Sequence, residues 1–285
     1  MNKKEYYINK EEDSLIISIS KFKKDLSKRT IKNYIKNKMV MVNDKVVSNS
    51  SYIVKVKDKV DINYNKKKTL NYDIDILYED DYLIAINKPS GLLSISNNKE
   101  KDTTAFKMVS DYVKATNKNY IFVLHRLDQD TSGILMFCKN QKIRDYMQEN
   151  WNMMVKKRGY IALVDGKVKN NGTIHSFLKE NKNQFVYSSK NNIGKEAITH
   201  YNVIKNNNNY SLLQVFIDTG RRNQIRVHLS EHGYPIVGDK KYRCKTNPFK
   251  RLCLHANILE FTHPVSKKLI SIKCDYPKDF DKFVK

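Results

Sequence analysis

From residue 82 onwards, apolar positions fall in short blocks and alternating runs that suit strands better than long helices. Residues 82–87 and 133–137 are nearly continuous apolar runs and predict buried strands; 160–164, 172–177, 197–204 and 210–217 predict a further series. Residues 103–116 and 141–151 carry a helical period instead. Strands dominate without regular βαβ alternation, which predicts an α+β fold with a mixed sheet rather than a doubly wound one. A smaller patterned unit occupies residues 14–64. There, residues 28–38 predict a helix with Ile31, Tyr34 and Ile35 on one side and Lys28, Lys32 and Lys36 recurring on the next. Residues 39–42 predict a short strand, Asn43-Asp44 a turn, Val46-Val47 the returning strand, and 52–62 a strand that alternates in part. The polar stretch Asn65-Lys66-Lys67-Lys68-Thr69 reads as a linker, dividing the chain into domains 1–66 and 67–285.

A length of 285 residues and 40% hydrophobic content suit such a two-domain globular chain. The longest uncharged apolar stretches, 14–20 and 133–138, are far short of the ~20 residues of a membrane span. The opening MNKKEYYINKEED has no apolar core and no cleavage site, so no secretory signal is expected. A soluble, cytoplasmic protein follows as the expectation. Cys138, Cys244, Cys253 and Cys274 form no CxxC pair and read as free thiols. His228 and His232 fit an inverted HxxEH zinc pattern, but five residues match easily by chance and Gly233 would end the helix at once; no metal is expected there. No Walker A loop or GxGxxG fingerprint is present, so no nucleotide cofactor has a visible seat.

The net charge of +23 points to a polyanionic partner, although a Lys- and Asn-rich composition alone could also produce it. Its placement is uneven. Residues 1–70 hold 18 basic and 8 acidic residues, against 35 and 22 in the remaining three quarters. On pattern alone, the helix lysines are either an RNA-facing surface or a solvated face. Arginine is scarcer: nine in the chain, with Arg126, Arg158, Arg221, Arg222 and Arg226 in three short segments. A planar, bidentate fork used sparingly among lysines marks where chemistry belongs.

The first of those segments is His125-Arg126-Leu127-Asp128-Gln129-Asp130-Thr131-Ser132-Gly133, set between the apolar 121–124 and 134–137. It reads as an active-site turn or as a turn whose side chains only bond their own backbone. The second is Thr219-Gly220-Arg221-Arg222-Asn223-Gln224-Ile225-Arg226-Val227-His228-Leu229. A turn at Gly220 should lead into a helix presenting Arg221, Gln224 and His228. Arg226 sits among apolar residues; it either snorkels to solvent or needs a buried partner, which an acid of the first segment would supply. The third is Lys157-Arg158-Gly159-Tyr160-Ile161-Ala162-Leu163-Val164, where a lone Tyr160 would ordinarily be core.

Two resemblances organise these residues. The helix, then KNKMVMVNDKVV, then VKVKDKVDI resembles the S4 RNA-binding domain over about fifty residues. It implies an RNA-binding face on the helix beginning near Ser27, with Lys28, Arg29, Lys32 and Lys36 as its candidate contacts. HRLDQDTSG, RGYIALVDG and TGRRNQIRVHLSEHGYPIVGD, preceded by Asn87-Lys88-Pro89-Ser90-Gly91 and closed by Leu254-His255-Ala256 and His263-Pro264, resemble the RluA-type pseudouridine synthases. That resemblance implies a mixed, mainly antiparallel central sheet with flanking helices and a catalytic cleft. It implies isomerisation of uridine in RNA to pseudouridine without metal or organic cofactor.

Carried onto this chain, the resemblance makes Asp128 the catalytic aspartate and Tyr160 the aromatic platform for the base. Arg226 becomes the partner of the catalytic carboxylate, and Arg126 the residue that fills the space left by the flipped base. Thr131, Arg221 and Gln224, in the same motifs, are the candidate substrate contacts. Ribosomal RNA is favoured over tRNA as partner, and a monomer with no obligate protein partner is expected. Two departures stand out: Arg222-Asn223 where many members have Thr-His, and Gly159 where a more ordinary strand residue is often found. The competing readings are a non-catalytic ribosome-assembly factor and a glycosidase using Asp128 with Asp130.

Overall fold

The computed structural model of the protein describes residues 4–36, 39–63, 74–96, 104–117 and 120–284. The chain divides into two compact units, Met1–Tyr72 and Asp73–Lys285. The expected linker at 65–69 lies outside the described residues, as do Asn37 and Lys38 at the end of the expected first helix.

The first unit is an antiparallel sheet in the order Lys4–Ile8, Lys59–Asn63, Val40–Val42, Lys45–Val46, with helices Leu15–Phe22 and Lys28–Lys36. Ile31 and Ile35 are fully buried with Leu15, Ile19, Val40, Val60 and Ile62. That places Lys28, Arg29 and Lys32 on the exposed side of the same helix. Asn43 and Asp44 both take positive φ, +48° and +62°, the conformation a two-residue hairpin turn requires.

One expectation needs correcting: residues 52–62 are not a single strand. Ile53–Val54 pairs with Asp13–Ser14, whereas Lys59–Asn63 joins the main sheet. Between them Lys57 turns at φ +70°, and the Asp58 carboxylate accepts from the Lys55 amide at 2.8 Å, a local bond that competes with strand pairing. The outer strand Lys4–Ile8 escapes pattern reading because Tyr6 and Ile8 remain exposed.

The second unit is built on an eleven-stranded sheet. Its main path runs Val186–Ser188, Gly172–Glu180, Lys195–Asn206, Tyr210–Ile217, Val155–Asp165, Leu254–Thr262, Ser132–Cys138, Leu83–Lys88, Ile76–Glu79. Every pairing is antiparallel except that of Ser132–Cys138 with Leu254–Thr262. The fold is therefore α+β with a mixed sheet, as the pattern predicts, and that sheet is mainly antiparallel, as the resemblance implies. Helices Ala105–Asn117, Gln141–Glu149 and Gln224–Glu231 flank it. The expected helix over 141–151 ends early, because the Asn150 side chain donates to the Tyr146 carbonyl at 2.9 Å; a separate turn, Trp151–Met154, follows.

The one parallel pair lies at the centre and is unusually close. A Cβ on Gly133 would stand 2.1 Å from the Ala256 carbonyl oxygen, and Gly133 has φ +107°, so only glycine fits where HRLDQDTSG enters its strand. All seven residues of Ser132–Cys138 are buried. Burying each large apolar side chain there contributes about 1.5–3 kcal/mol, and this rigid strand carries the loop that ends in it. Among the described residues no helix is long and apolar enough to cross a membrane.

Candidate active site

Loop 124–131 and the segment 220–226 line one cleft of about 1210 Å³ in the second unit, with Tyr160 from the strand Val155–Asp165. Asp128 sits in that loop, and the backbone on either side of it is pinned. Ser94 Oγ accepts from the Leu127 amide at 3.1 Å and donates to the Leu127 carbonyl at 2.7 Å. Ser90 Oγ donates to the Asp130 carbonyl at 2.6 Å, and the Gly91 amide to the Gln129 carbonyl at 3.0 Å. Thr131 is buried and its amide closes the turn onto the Asp128 carbonyl at 3.2 Å. The turn is closed by a bond within its backbone and pinned by side chains of another segment, Ser90 and Ser94, and it presents Asp128 to the cleft.

Lys88 does most of the clamping. Its side chain is fully buried, and Nζ donates to the carbonyls of Pro89, Leu92 and Gln129 at 2.9, 2.7 and 2.8 Å. Burial pushes this ammonium down to about 8, with Asp130 and Asp128 pulling it back up. Its only sequence signal is the resemblance of Asn87-Lys88-Pro89-Ser90-Gly91.

Arg226 lies on helix Gln224–Glu231, whose first six residues are all buried. The expected contact with the first segment is present: Nη1 stands 3.4 Å from Asp128 Oδ2. The closer partner is one that the pattern did not suggest. Asp239 accepts from Nε at 2.7 Å and from Nη2 at 2.8 Å, a bidentate pair with Asp239 only 1% exposed. Against the cost of burial, the Asp239 hydrogen bonds and charge raise Arg226 above the ordinary guanidinium value. One guanidinium therefore holds a deep carboxylate on one edge and reaches the cleft carboxylate with the other.

The departures acquire physical reasons here. Asn223 precedes the helix at φ +54°, a left-handed conformation that Asn tolerates, and its Oδ1 accepts from Arg226 Nη1 at 2.9 Å. Arg222 points outward to the Glu180 carboxylate and to Gln184 Oε1 at 3.0 Å. Behind Tyr160, the strand register slips so that Asn257 is skipped. Gln214 Nε2 reaches over Gly159 to the Tyr160 carbonyl at 3.0 Å and to Asn257 Oδ1 at 3.1 Å. A Cβ on Gly159 would come within 3.1 Å of that amide nitrogen. Burial pushes the Tyr160 phenol up to about 12, opposed by Arg158 and helped by Asp128.

One expected placement and one expected contact need correcting. Arg221 is not on the helix, which begins at Gln224; its amide caps onto Gln224 Oε1 at 3.0 Å and its side chain is exposed at the cleft rim. Gln224 offers no free face to a substrate. Its oxygen also accepts from Thr219 Oγ1 at 2.8 Å, and its nitrogen donates to the Ile198 carbonyl and to Thr199 Oγ1. With all four amide hydrogen bonds internal, Gln224 is a positioning residue. Arg126 is exposed on the cleft wall. Lys28, Arg29 and Lys32 belong to the other unit, and the side chain of Lys36 lies outside the described residues.

His228 is engaged at both nitrogens, with Thr199 Oγ1 and Ser176 Oγ at 2.9 Å each. Burial, then His232 and His175, pushes it down to about 4. His255, 2.8 Å from Ser132 Oγ, is pushed to about 4 by burial and by Arg251. Between pH 6.5 and 4 the unfolded chain takes up these protons and the folded chain does not. Stability should therefore fall as pH drops through that window, by about 1.4 kcal/mol per pH unit for each histidine. Urea midpoints at pH 7 and 5 test this: His228→Gln should flatten the slope by about one proton, and an unchanged slope would contradict it.

Residues 82–231 match the family described as RNA pseudouridylate synthase. An uncharacterized RNA pseudouridine synthase of Bacillus subtilis, YhcT, is 30% identical, over 96% of this chain and 94% of its own. Ribosomal large subunit pseudouridine synthase C of Buchnera aphidicola is 33% identical over 95% and 94%. In structure, the human RNA pseudouridylate synthase domain containing 1 shares the fold at a TM-score of 0.60 and 21% identity, covering 74% of this chain and 88% of that one. With the family match spanning just over half of the chain and such relatives spanning nearly all of it, the protein belongs to the RNA pseudouridine synthases.

Proposed function

We propose that this enzyme isomerises uridines of large-subunit ribosomal RNA, with Asp128 as its catalytic carboxylate. The observation that carries the assignment is Asp128 itself: a carboxylate on a loop pinned from both sides, in the cleft with Tyr160, 3.4 Å from an arginine whose other edge is anchored by Asp239. The ribosomal target draws on relatives named ribosomal large subunit pseudouridine synthases C and D, and on the S4-like first unit.

The reacting base must leave its stack, at a cost of a few kcal/mol. An aromatic face can return ~1–3 kcal/mol, the role given to Tyr160. Arg126, exposed on the cleft wall, takes the place the base vacates. The Asp128 carboxylate then acts at the sugar, as nucleophile or as base for a sugar proton, while the C–N bond breaks. The uracil rotates, C5 bonds to the sugar, and the C5 proton departs. A phenol held protonated up to about 12 has no vacancy for that proton, which favours water as its acceptor. Tritium release from ribosomal RNA and tRNA labelled at uridine C5 tests the proposal. Release from ribosomal RNA, on naked RNA or immature subunits, is expected; silence on all of them would overturn it.

The first unit, in this reading, is an S4-like RNA-binding domain and supplies salt-sensitive affinity through its helix. Lys28, Arg29 and Lys32 are exposed, so replacing all three with Gln should spare the fold. Losing three phosphate contacts should lower the slope of log affinity against log salt by about 2. An unchanged slope in filter binding would reduce this face to ordinary surface.

A further inference from the structure

Arg158 is one of the cleft arginines that the reaction above leaves unused. By strand alternation it shares a face with Tyr160, two positions on. Its guanidinium passes beneath Gly220, where a Cβ would come within 2.8 Å of Nη1, so this glycine makes room for a cation. Nη2 donates to the Asp218 carbonyl. Arg221 stands beside it, its Nε donating to the Glu196 carbonyl at 2.8 Å. The carboxylates of those two acids are turned elsewhere: Asp218 to His200 Nε2 and Glu196 to His175 Nε2, each at 2.9 Å.

Among the described residues neither guanidinium has a carboxylate within 4.0 Å, and each keeps N–H donors unused. Burial first, opposed by Tyr160 and Asp218 and helped by the like charge of Arg221, pulls Arg158 below the ordinary guanidinium value. Two adjacent cations that repel each other and touch no carboxylate leave a place where one external anion would relieve both. Both line a side pocket of about 220 Å³ with Trp151 and Asn152, and the same Trp151, Arg158 and Arg221 also line the main cleft. Trp151 is half-buried, tilted against His125 at 5.5 Å between ring centres.

We propose that this side pocket is a subsite for the nucleotide next to the flipped uridine, with Arg158 and Arg221 on its phosphate and Trp151 against its base. The subsite rests on RNA being the substrate. It gives the enzyme a second grip on the strand, beside the base it rotates, so that the sugar stays fixed while the uracil is free.

Trp151 is the only tryptophan of the chain and reports on the pocket directly. The full-length protein would be titrated with a ten-residue oligouridylate and with an abasic ribose-phosphate oligomer of the same length. The oligouridylate is expected to quench Trp151 emission and the abasic oligomer to leave it nearly unchanged. In the double variant Arg158→Gln/Arg221→Gln the slope of log affinity against log salt should fall by about 0.7, the share of one phosphate on a single strand. Arg221→Gln alone, at an exposed position, should lower it by part of that and keeps the test alive should a variant at the partly buried Arg158 misfold. Equal quenching by both oligomers, or an unchanged slope in the folded variants, would overturn the subsite. If wild type still releases tritium in that case, the subsite falls alone. If it binds neither oligomer and releases none, the proposed activity falls with it.

Discussion

Asp128→Asn is expected to abolish tritium release from C5-labelled RNA while leaving the melting temperature within a few degrees of wild type. The amide keeps the shape of the carboxylate and can still accept from Arg226, but it can neither attack the sugar nor take a proton from it. Loss of a positioned base removes about 10²–10⁴-fold in rate, and loss of a covalent nucleophile closes that route altogether. Stability should scarcely respond. The Asp128 side chain is 31% exposed and its contact with Arg226 is 3.4 Å long, so the pair is worth no more than about 1 kcal/mol. Activity retained within tenfold would remove Asp128 from the chemistry. A collapse of stability would instead make the loop, not the carboxylate, the lesion.

Periodicity alone located six of the eleven strands described in the second unit, because residues with one or both faces buried must repeat every second position or run apolar throughout. Ser132–Cys138 and Tyr210–Ile217 are such cases. It failed where a side chain outbid the ladder, at Asp58 and Asn150, since local hydrogen bonds leave no periodic trace. The site divides in the same way. That Arg226 needs a buried partner follows from a charge embedded among apolar residues. That the tight partner is Asp239, thirteen positions on and beyond a turn, does not follow, because nothing in one sequence says which acid folds back. Lys88 is similar: a lysine at a strand end, before Pro-Ser-Gly, reads as solvated until three carbonyls are found around it. Gln224 erred in the opposite direction, a polar residue in a functional motif whose bonds all turn inward.

The division of labour on Arg226 leads to the largest expected loss of stability. Asp239→Ala should lower stability by about 3–5 kcal/mol, because it leaves a guanidinium that is 10% exposed without its bidentate partner. For a unit of this size that is roughly 10 °C in melting temperature, and a large part of the ~5–15 kcal/mol that holds a domain together. A second consequence separates this from ordinary core damage. With Asp239 gone, Arg226 is free to swing fully onto Asp128, turning a contact of 3.4 Å into a tight pair that occupies the oxygen needed at the sugar. The rate constant of the folded variant, measured well below its melting temperature, should therefore fall, while RNA affinity stays near wild type. Asp239→Asn keeps the oxygen that accepts from the Tyr242 amide at 3.2 Å and should recover part of the stability but little of the rate. The two carboxylates on one arginine would then be told apart by opposite signatures, Asp128 by rate without stability and Asp239 by both. A variant at 239 that melts like wild type would show instead that Arg226 finds its compensation elsewhere and that the anchored-fork account of this site is wrong.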